Sequence, residues 1–210
     1  MLSISSMPVA RRSRAWAVAA VLVVGALVLT ACGSDPLADQ YRAGSSKGYV
    51  AGDGSVTEIA LDERGESISF SGVGEEGEQI SSDDYAGQVL VVNFWYAACA
   101  PCRAEAEDLQ ALNADYTDKG ATFIGVNVRD TADTAKAFNG TFGITYPSIL
   151  DVDSGEAKLA FTGSVPPNAV PTTIVLDAEG RVAARILGQL QDRTILDTLI
   201  RDTIAESSTE

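Results

Sequence analysis

A chain of 210 residues with 46% hydrophobic and 21% charged residues carries enough apolar material for one packed domain with appendages. It has no histidine, which excludes Cys-His proteases, Ser-His hydrolases and His-ligated metal sites. Its three cysteines are too few for a disulfide-stapled scaffold, and a formal net charge of −14 argues against binding nucleic acid or anionic lipid headgroups.

The N-terminus reads as an export signal. Arg11, Arg12 and Arg14 precede an uncharged apolar stretch over 15–31 that ends in Leu29-Thr30-Ala31-Cys32. Leu-Thr-Ala-Cys resembles the bacterial lipobox. That resemblance implies a lipoprotein signal peptide over 1–31, acylation of Cys32, and a mature protein held outside the cytoplasm by a lipid anchor in the cell membrane. An uncleaved signal anchor is the competing reading, because 17 residues reach the shortest spanning length of about 17. A twin-arginine export signal at Arg11-Arg12 is a poorer match, given Ser13-Arg14-Ala15 behind it. Loss of 1–31 would remove three arginines and no acid, for a mature net charge of about −17.

Residues 32–60 read as a flexible tether dominated by Gly, Ser, Asp and Ala. A coil of about 28 residues has a root-mean-square reach of roughly 30 Å. The packed domain is expected over 61–210. Alternation over 67–72 predicts a strand, Glu75-Glu76-Gly77-Glu78 a turn, and Gln79-Ile80-Ser81 the return strand of an N-terminal hairpin. The run Val89-Leu90-Val91-Val92-Asn93-Phe94-Trp95 is apolar on both faces and suits a central strand in a covered sheet. A helix follows over 100–116, then a buried strand over 121–128, a helix over 131–138, a short strand over 145–150 and a short helix over 157–161. A strand over 171–177, a turn at Ala178-Glu179-Gly180 and a strand over 181–187 form a hairpin. A helix over 192–205 closes the chain, with Ile195, Leu196, Leu199, Ile200 and Ile204 on its apolar face. This order predicts an α/β fold with a mixed central sheet flanked by helices on both faces.

Chemistry concentrates where the run 89–95 meets the helix 100–116, at Cys99-Ala100-Pro101-Cys102. Two thiols at this spacing can close as a disulfide or open as a dithiol. At a helix start the unpaired N–H groups and the positive end of the dipole favour a thiolate. Placements of this kind lower a thiol pKa from about 8.5 to roughly 3.5–7.5, and the thiolate is the species that attacks disulfides.

Two blocks carry a family likeness. Asn93-Phe94-Trp95-Tyr96-Ala97-Ala98-Cys99-Ala100-Pro101-Cys102-Arg103-Ala104-Glu105 resembles the active-site block of thioredoxin-fold proteins, nearest to the TlpA/ResA-like branch of membrane-tethered thiol–disulfide oxidoreductases. Val170-Pro171-Thr172-Thr173-Ile174-Val175-Leu176-Asp177-Ala178-Glu179-Gly180 resembles that branch's second signature. The likeness covers roughly 65–207 and leaves space for a strand–helix insertion over about 129–165. It implies a thioredoxin-like fold, a redox-active disulfide and no cofactor. It also implies Cys99 as the exposed attacking cysteine, Cys102 as the more buried resolving cysteine, and Pro171 as a cis-proline beside them; an ordinary strand-start proline is the alternative. Glu105 is implied to tune the thiols and relay a proton, against the plainer reading of a solvent-facing acid at a helix start. Asn93 stands where thioredoxin has a buried aspartate, which leaves Glu105 as the proton carrier. Ala98 stands where a tryptophan usually precedes the first cysteine, which opens the surface around Cys99, and Trp95 is expected to pack beneath the site.

The likeness further implies reduction of protein disulfides, with apocytochrome c as substrate during cytochrome c maturation and a CcdA/DsbD-like membrane thiol carrier as the electron source. An extracytoplasmic oxidant of the same fold is the alternative, since direction follows the relative stability of dithiol and disulfide. A non-enzymatic lipoprotein binding module with a structural disulfide is the other class. A two-residue loop closed by a disulfide constrains little chain, which weighs against it.

Overall fold

The computed structural model describes residues 55–163 and 169–207. The expected signal peptide, Cys32 and the expected tether as far as residue 54 lie outside the described residues. The elements in chain order are β1 (Ser55–Glu58), β2 (Ser71–Val73), β3 (Gln79–Ser81), β4 (Val89–Trp95), α1 (Ala100–Tyr116), β5 (Ala121–Asn127), α2 (Ala132–Phe142), β6 (Ser148–Leu150), α3 (Glu156–Ala160), β7 (Thr172–Leu176), β8 (Val182–Leu187) and α4 (Arg193–Ser207). Six strands form one mixed sheet in the order β1-β8-β7-β4-β5-β6, and β2 with β3 forms a separate hairpin. β4 runs parallel to β5 and β5 to β6, while β7, β8 and β1 join antiparallel.

Every residue of β4 is buried, because alternate side chains feed two different cores. Leu90, Val92 and Phe94 pack with Phe161 behind α3 and with Phe70 and Ile80 of the hairpin region. Val89 and Val91 pack with Leu109 and Leu112 of α1 and with Leu196, Leu199 and Ile200 of α4. A third cluster gathers Trp95, Cys99, Cys102 and Ala106 with Ala135 and Phe138 of α2. Helices therefore cover both faces, as the sequence predicts.

Several boundaries differ from the expectation. Residues 55–58 are not tether: Ser55–Glu58 pairs with Glu58↔Ala184 through Ser55↔Leu187 along the free edge of β8, so the packed unit begins before residue 61. The strand expected over 67–72 shortens and shifts to Ser71–Val73, because Ile68 N–H bonds the Gly180 carbonyl and Phe70 N–H bonds the Ser82 side-chain Oγ rather than a main-chain oxygen. The helix expected to stop at Phe138 runs to Phe142. Phe138 and Phe142 stack at 4.6 Å one turn apart, and Gly143 supplies the left-handed C-cap at φ 67°. The insertion is present as α2, β6 and α3, with β6 extending the sheet beyond β5.

The register decides where the site lies. Trp95 pairs with Asn127 of β5, and Phe94 pairs with Thr172 of β7. The loop after β4, the loop after β5 and the approach to β7 therefore meet at one end of the sheet, outside the carboxyl ends of its parallel strands. The opposite end is clamped by Arg64, which bonds the Ile59 carbonyl, Asp177 at 3.1 Å and Glu206 of α4. Its side chain is 3% exposed and that of Asp177 1%.

Candidate active site

Cys99 and Cys102 are joined as a disulfide, with their Cα atoms 5.3 Å apart. Cys99 is the N-cap of α1, and its Sγ accepts the Cys102 N–H at 3.2 Å, which satisfies one of the orphan donors of the helix start. Pro101 falls in the first turn, where its missing N–H costs no hydrogen bond. The Val170–Pro171 peptide is cis, and Pro171 comes one step before Thr172, level with the end of β4.

One expectation is corrected here. Cys99 is not the exposed member of the pair: it is 0% exposed and Cys102 2% in the disulfide form. The Cys99 sulfur is turned back over the helix start and packs in a cluster with Trp95, Tyr96, Ala106 and Val170. Ala98 is exposed, as is Ala100, but the gap left at Ala98 does not uncover Cys99.

Glu105, one turn beyond Cys102, is 1% exposed. The reading of it as a solvent-facing acid is thereby ruled out. Its Oε1 accepts from Asn93 Nδ2 at 3.0 Å and its Oε2 from the Leu190 backbone N–H at 2.8 Å. Burial pushes its pKa up from 4.5 to about 8, and the nearby charge of Asp108 adds to the rise. The Leu190 N–H and the Asn93 amide pull the other way without restoring an ordinary value. At neutral pH Glu105 holds a proton. Asn93 also donates to Thr173 Oγ1 at 3.1 Å, so one buried amide links β4, α1 and β7 beneath the cysteines.

Trp95 packs beneath the site as expected. Its ring lies 4.4 Å from that of Phe138, and its Nε1 donates to Ser148 Oγ at 3.3 Å. Gly125 makes room for this: a Cβ there would meet Ser148 Oγ at 2.2 Å and Trp95 Nε1 at 2.7 Å.

The loop 96–98 is held from β5. Asp130 Oδ2 accepts the Ala97 N–H at 2.6 Å and Asn127 Nδ2 at 2.9 Å. Asn127, fully buried, accepts the N–H groups of Arg129 and Asp130 on its Oδ1. Sequence reasoning missed Asn127 and Asp130. The available signal was an Asn three residues ahead of an Asp at the end of a buried strand, a turn-forming pair whose side chains bond nearby backbone. Among the described residues no cluster of acids and cysteines has the makings of a metal site.

A profile of the Redoxin family matches residues 60–200, and the disulfide and the neighbouring cis-proline both fall inside that span. The chain belongs to the Redoxin family. The chain is 34% identical over 139 residues to the thiol:disulfide interchange protein HelX of Rhodobacter capsulatus, covering 65% of this chain and 74% of that one. It is 31% identical over 114 residues to the thiol-disulfide oxidoreductase ResA of Bacillus thuringiensis, covering 54% of this chain and 63% of ResA. Among solved structures, a secreted thiol-disulfide isomerase from Corynebacterium glutamicum aligns with TM-score 0.65 and 33% identity over 75% of this chain and 96% of its own. A DsbF homologue from Corynebacterium diphtheriae aligns with TM-score 0.62 and 34% identity over 73% and 96%. This Redoxin-family member is a TlpA/ResA-like thiol–disulfide oxidoreductase with a thioredoxin-like fold.

Proposed function

We propose that Cys99 and Cys102 are the exchanging pair and that the protein reduces protein disulfides outside the cytoplasm. The observation that carries this reading is a disulfide at the start of α1 with a buried, protonated carboxyl one turn further along. In the dithiol form, Cys99 at the positive end of the helix supplies the thiolate. It attacks one sulfur of the substrate disulfide, forms a mixed disulfide and expels the other sulfur as a thiolate. Cys102 then attacks Cys99 Sγ, which closes the protein disulfide and releases the reduced substrate. Cys102 must lose its proton and the leaving sulfur must gain one. Glu105, with a pKa near 8, is matched to pass that proton at neutral pH. Pro171 closes the site from β7 and supplies no N–H of its own.

The extracytoplasmic assignment draws support from the apolar leader over 15–31 and from the secreted C. glutamicum relative. Acylation at Cys32 and a tether behind it would keep the domain at the membrane. Apocytochrome c, whose paired haem-binding thiols must be reduced, is the proposed substrate class, and a CcdA/DsbD-like membrane thiol carrier the proposed electron source.

The test is a Cys102→Ser chain expressed at its natural location. Unable to resolve, it should accumulate mixed disulfides through Cys99, and the captured proteins should include c-type apocytochromes. No capture would refute the exchange reading, whereas capture without a cytochrome would refute only the substrate. The direction of flow is read from the reduction potential: a value near the about −120 mV of a strong disulfide-forming oxidant would assign oxidation instead.

A further inference from the structure

The chain is strongly acidic, yet the charged side chains bordering the loop before Cys99 include two arginines, both laid on aromatic rings. The Arg129 guanidinium carbon lies 4.4 Å from the centre of the Tyr96 ring. The Arg103 guanidinium carbon lies 5.0 Å from that of Phe142, and its Nη1 reaches the Ala97 carbonyl at 3.5 Å. Tyr96 and Ala97 are consecutive, so both guanidiniums flank the same stretch, two to three residues ahead of the exchanging sulfur. Arg103, Arg129, Ala98 and Ala100 are exposed. The acid that follows Arg129, Asp130, is turned into the loop, where its Oδ2 takes the Ala97 and Asn127 N–H groups.

Stacking engages the flat face of a guanidinium and holds it in place, while the in-plane N–H donors are the ones that grip a carboxylate. The net negative charge of the chain repels acidic partners at a distance, but that repulsion is screened beyond about 8 Å at physiological ionic strength. At contact the local arginines prevail. We infer that Arg103 and Arg129 form a carboxylate-reading rim of the exchange site, and that the preferred substrates are protein disulfides with an acidic residue within a few positions of the attacked cysteine. This rests on the reading of Cys99 and Cys102 as the exchanging pair. It adds a positional rule to that reading: an acid beside the disulfide helps, and the same acid far from it does not.

The experiment uses the intact protein in its dithiol form and two cyclic peptide disulfides of identical composition and net charge. One peptide carries its aspartate next to a cysteine, and the other carries it at the far end. Each event moves two electrons: the protein dithiol becomes a disulfide, and the peptide disulfide becomes two thiols with the two protons the protein gives up. The second-order rate constant should be about two- to tenfold higher for the adjacent aspartate, the range expected of one or two exposed ion pairs. In the Arg103→Gln/Arg129→Gln double variant the ratio should fall to about one, and in the Arg→Lys double variant part of it should return. Equal rates for the two peptides in the wild-type protein, or a ratio that the Gln variant retains, would overturn the rim alone. Inert peptides would overturn the exchange reading and the rim with it. The wild-type comparison decides the matter even where a variant fails to fold.

Discussion

Two buried carboxylates at opposite ends of the sheet show how partners set the work of a group. Asp177, at the end away from the disulfide, is 2% exposed and receives Arg64, Arg181 at 2.9 Å, and the backbone N–H groups of Glu179 and Arg181. Glu105, beneath the disulfide, is 1% exposed and receives an amide and one backbone N–H, both neutral. A carboxylate given two guanidiniums fastens elements together: here the N-terminal segment, the β7–β8 turn and, through Arg64, helix α4. A carboxyl given only neutral donors keeps its proton until about pH 8. The first arrangement holds the fold, and the second keeps a proton buried one turn of α1 beyond Cys102.

The largest expected effect comes from breaking the charged end. Arg64→Met leaves Asp177 buried with one guanidinium fewer and frees Glu206. Removing one partner of a buried ion pair costs about 3–5 kcal/mol, and the remaining Arg181 places this variant at the lower end of that range. Urea unfolding should show the loss, while the exchange rate of the folded fraction should stay at the wild-type value.

The neutral end is sharpened by Glu105→Gln. Between about pH 4.5 and about pH 8 the folded chain holds a proton at Glu105 that the unfolded chain has released. Wild-type stability therefore falls as pH rises through that window, with a slope of up to about 1.4 kcal/mol per pH unit. Below about pH 4.5 the group is protonated in both states, and its contribution is at its most favourable. The Gln variant should lose this slope, so that urea midpoints at pH 5 and pH 8 draw closer together. Its exchange rate should drop by about a hundredfold, the lower end of the range for general acid–base assistance, and the pH–rate inflection near 8 should vanish.

The smallest effect is local. Asp130→Asn keeps an acceptor for the Ala97 N–H but removes the charge, at a cost of about 1 kcal/mol. Hydrogen exchange at the Ala97 amide should quicken about fivefold, with the amides of β4 unchanged.

The core strands were legible because burial on both faces leaves a mostly apolar run, as at Val89–Trp95 and Ala121–Asn127. The pairing of Cys99 with Cys102 was legible in their spacing, whereas cis-Pro171 and the burial of Glu105 were legible only through the family resemblance of the two motif blocks. β1 was illegible. All four of its residues are exposed and polar or small except Val56, so nothing in its pattern separates an edge strand from a linker. The Arg64–Asp177 pair spans 113 positions and the Asp130–Ala97 bond 33, and single-sequence periodicity carries no information about such separations. The burial of Cys99 was missed for a related reason: it depends on α2 and Val170 closing over the sulfur, which is tertiary packing.

The place of β4 in the sheet order has a consequence for synthesis. Its neighbours are β5, which follows soon after it, and β7, which begins at Thr172. A nascent chain that has reached residue 163 carries both thiols and all of α1, yet one flank of β4 still exposes its row of main-chain donors and acceptors. An exposed apolar strand edge is a template for pairing with other chains. During emergence the thiol pair is thus complete in sequence long before its sheet is closed. A polypeptide truncated between β6 and β7 would be both reactive and adhesive, and the last forty residues are what make the enzyme safe to its neighbours.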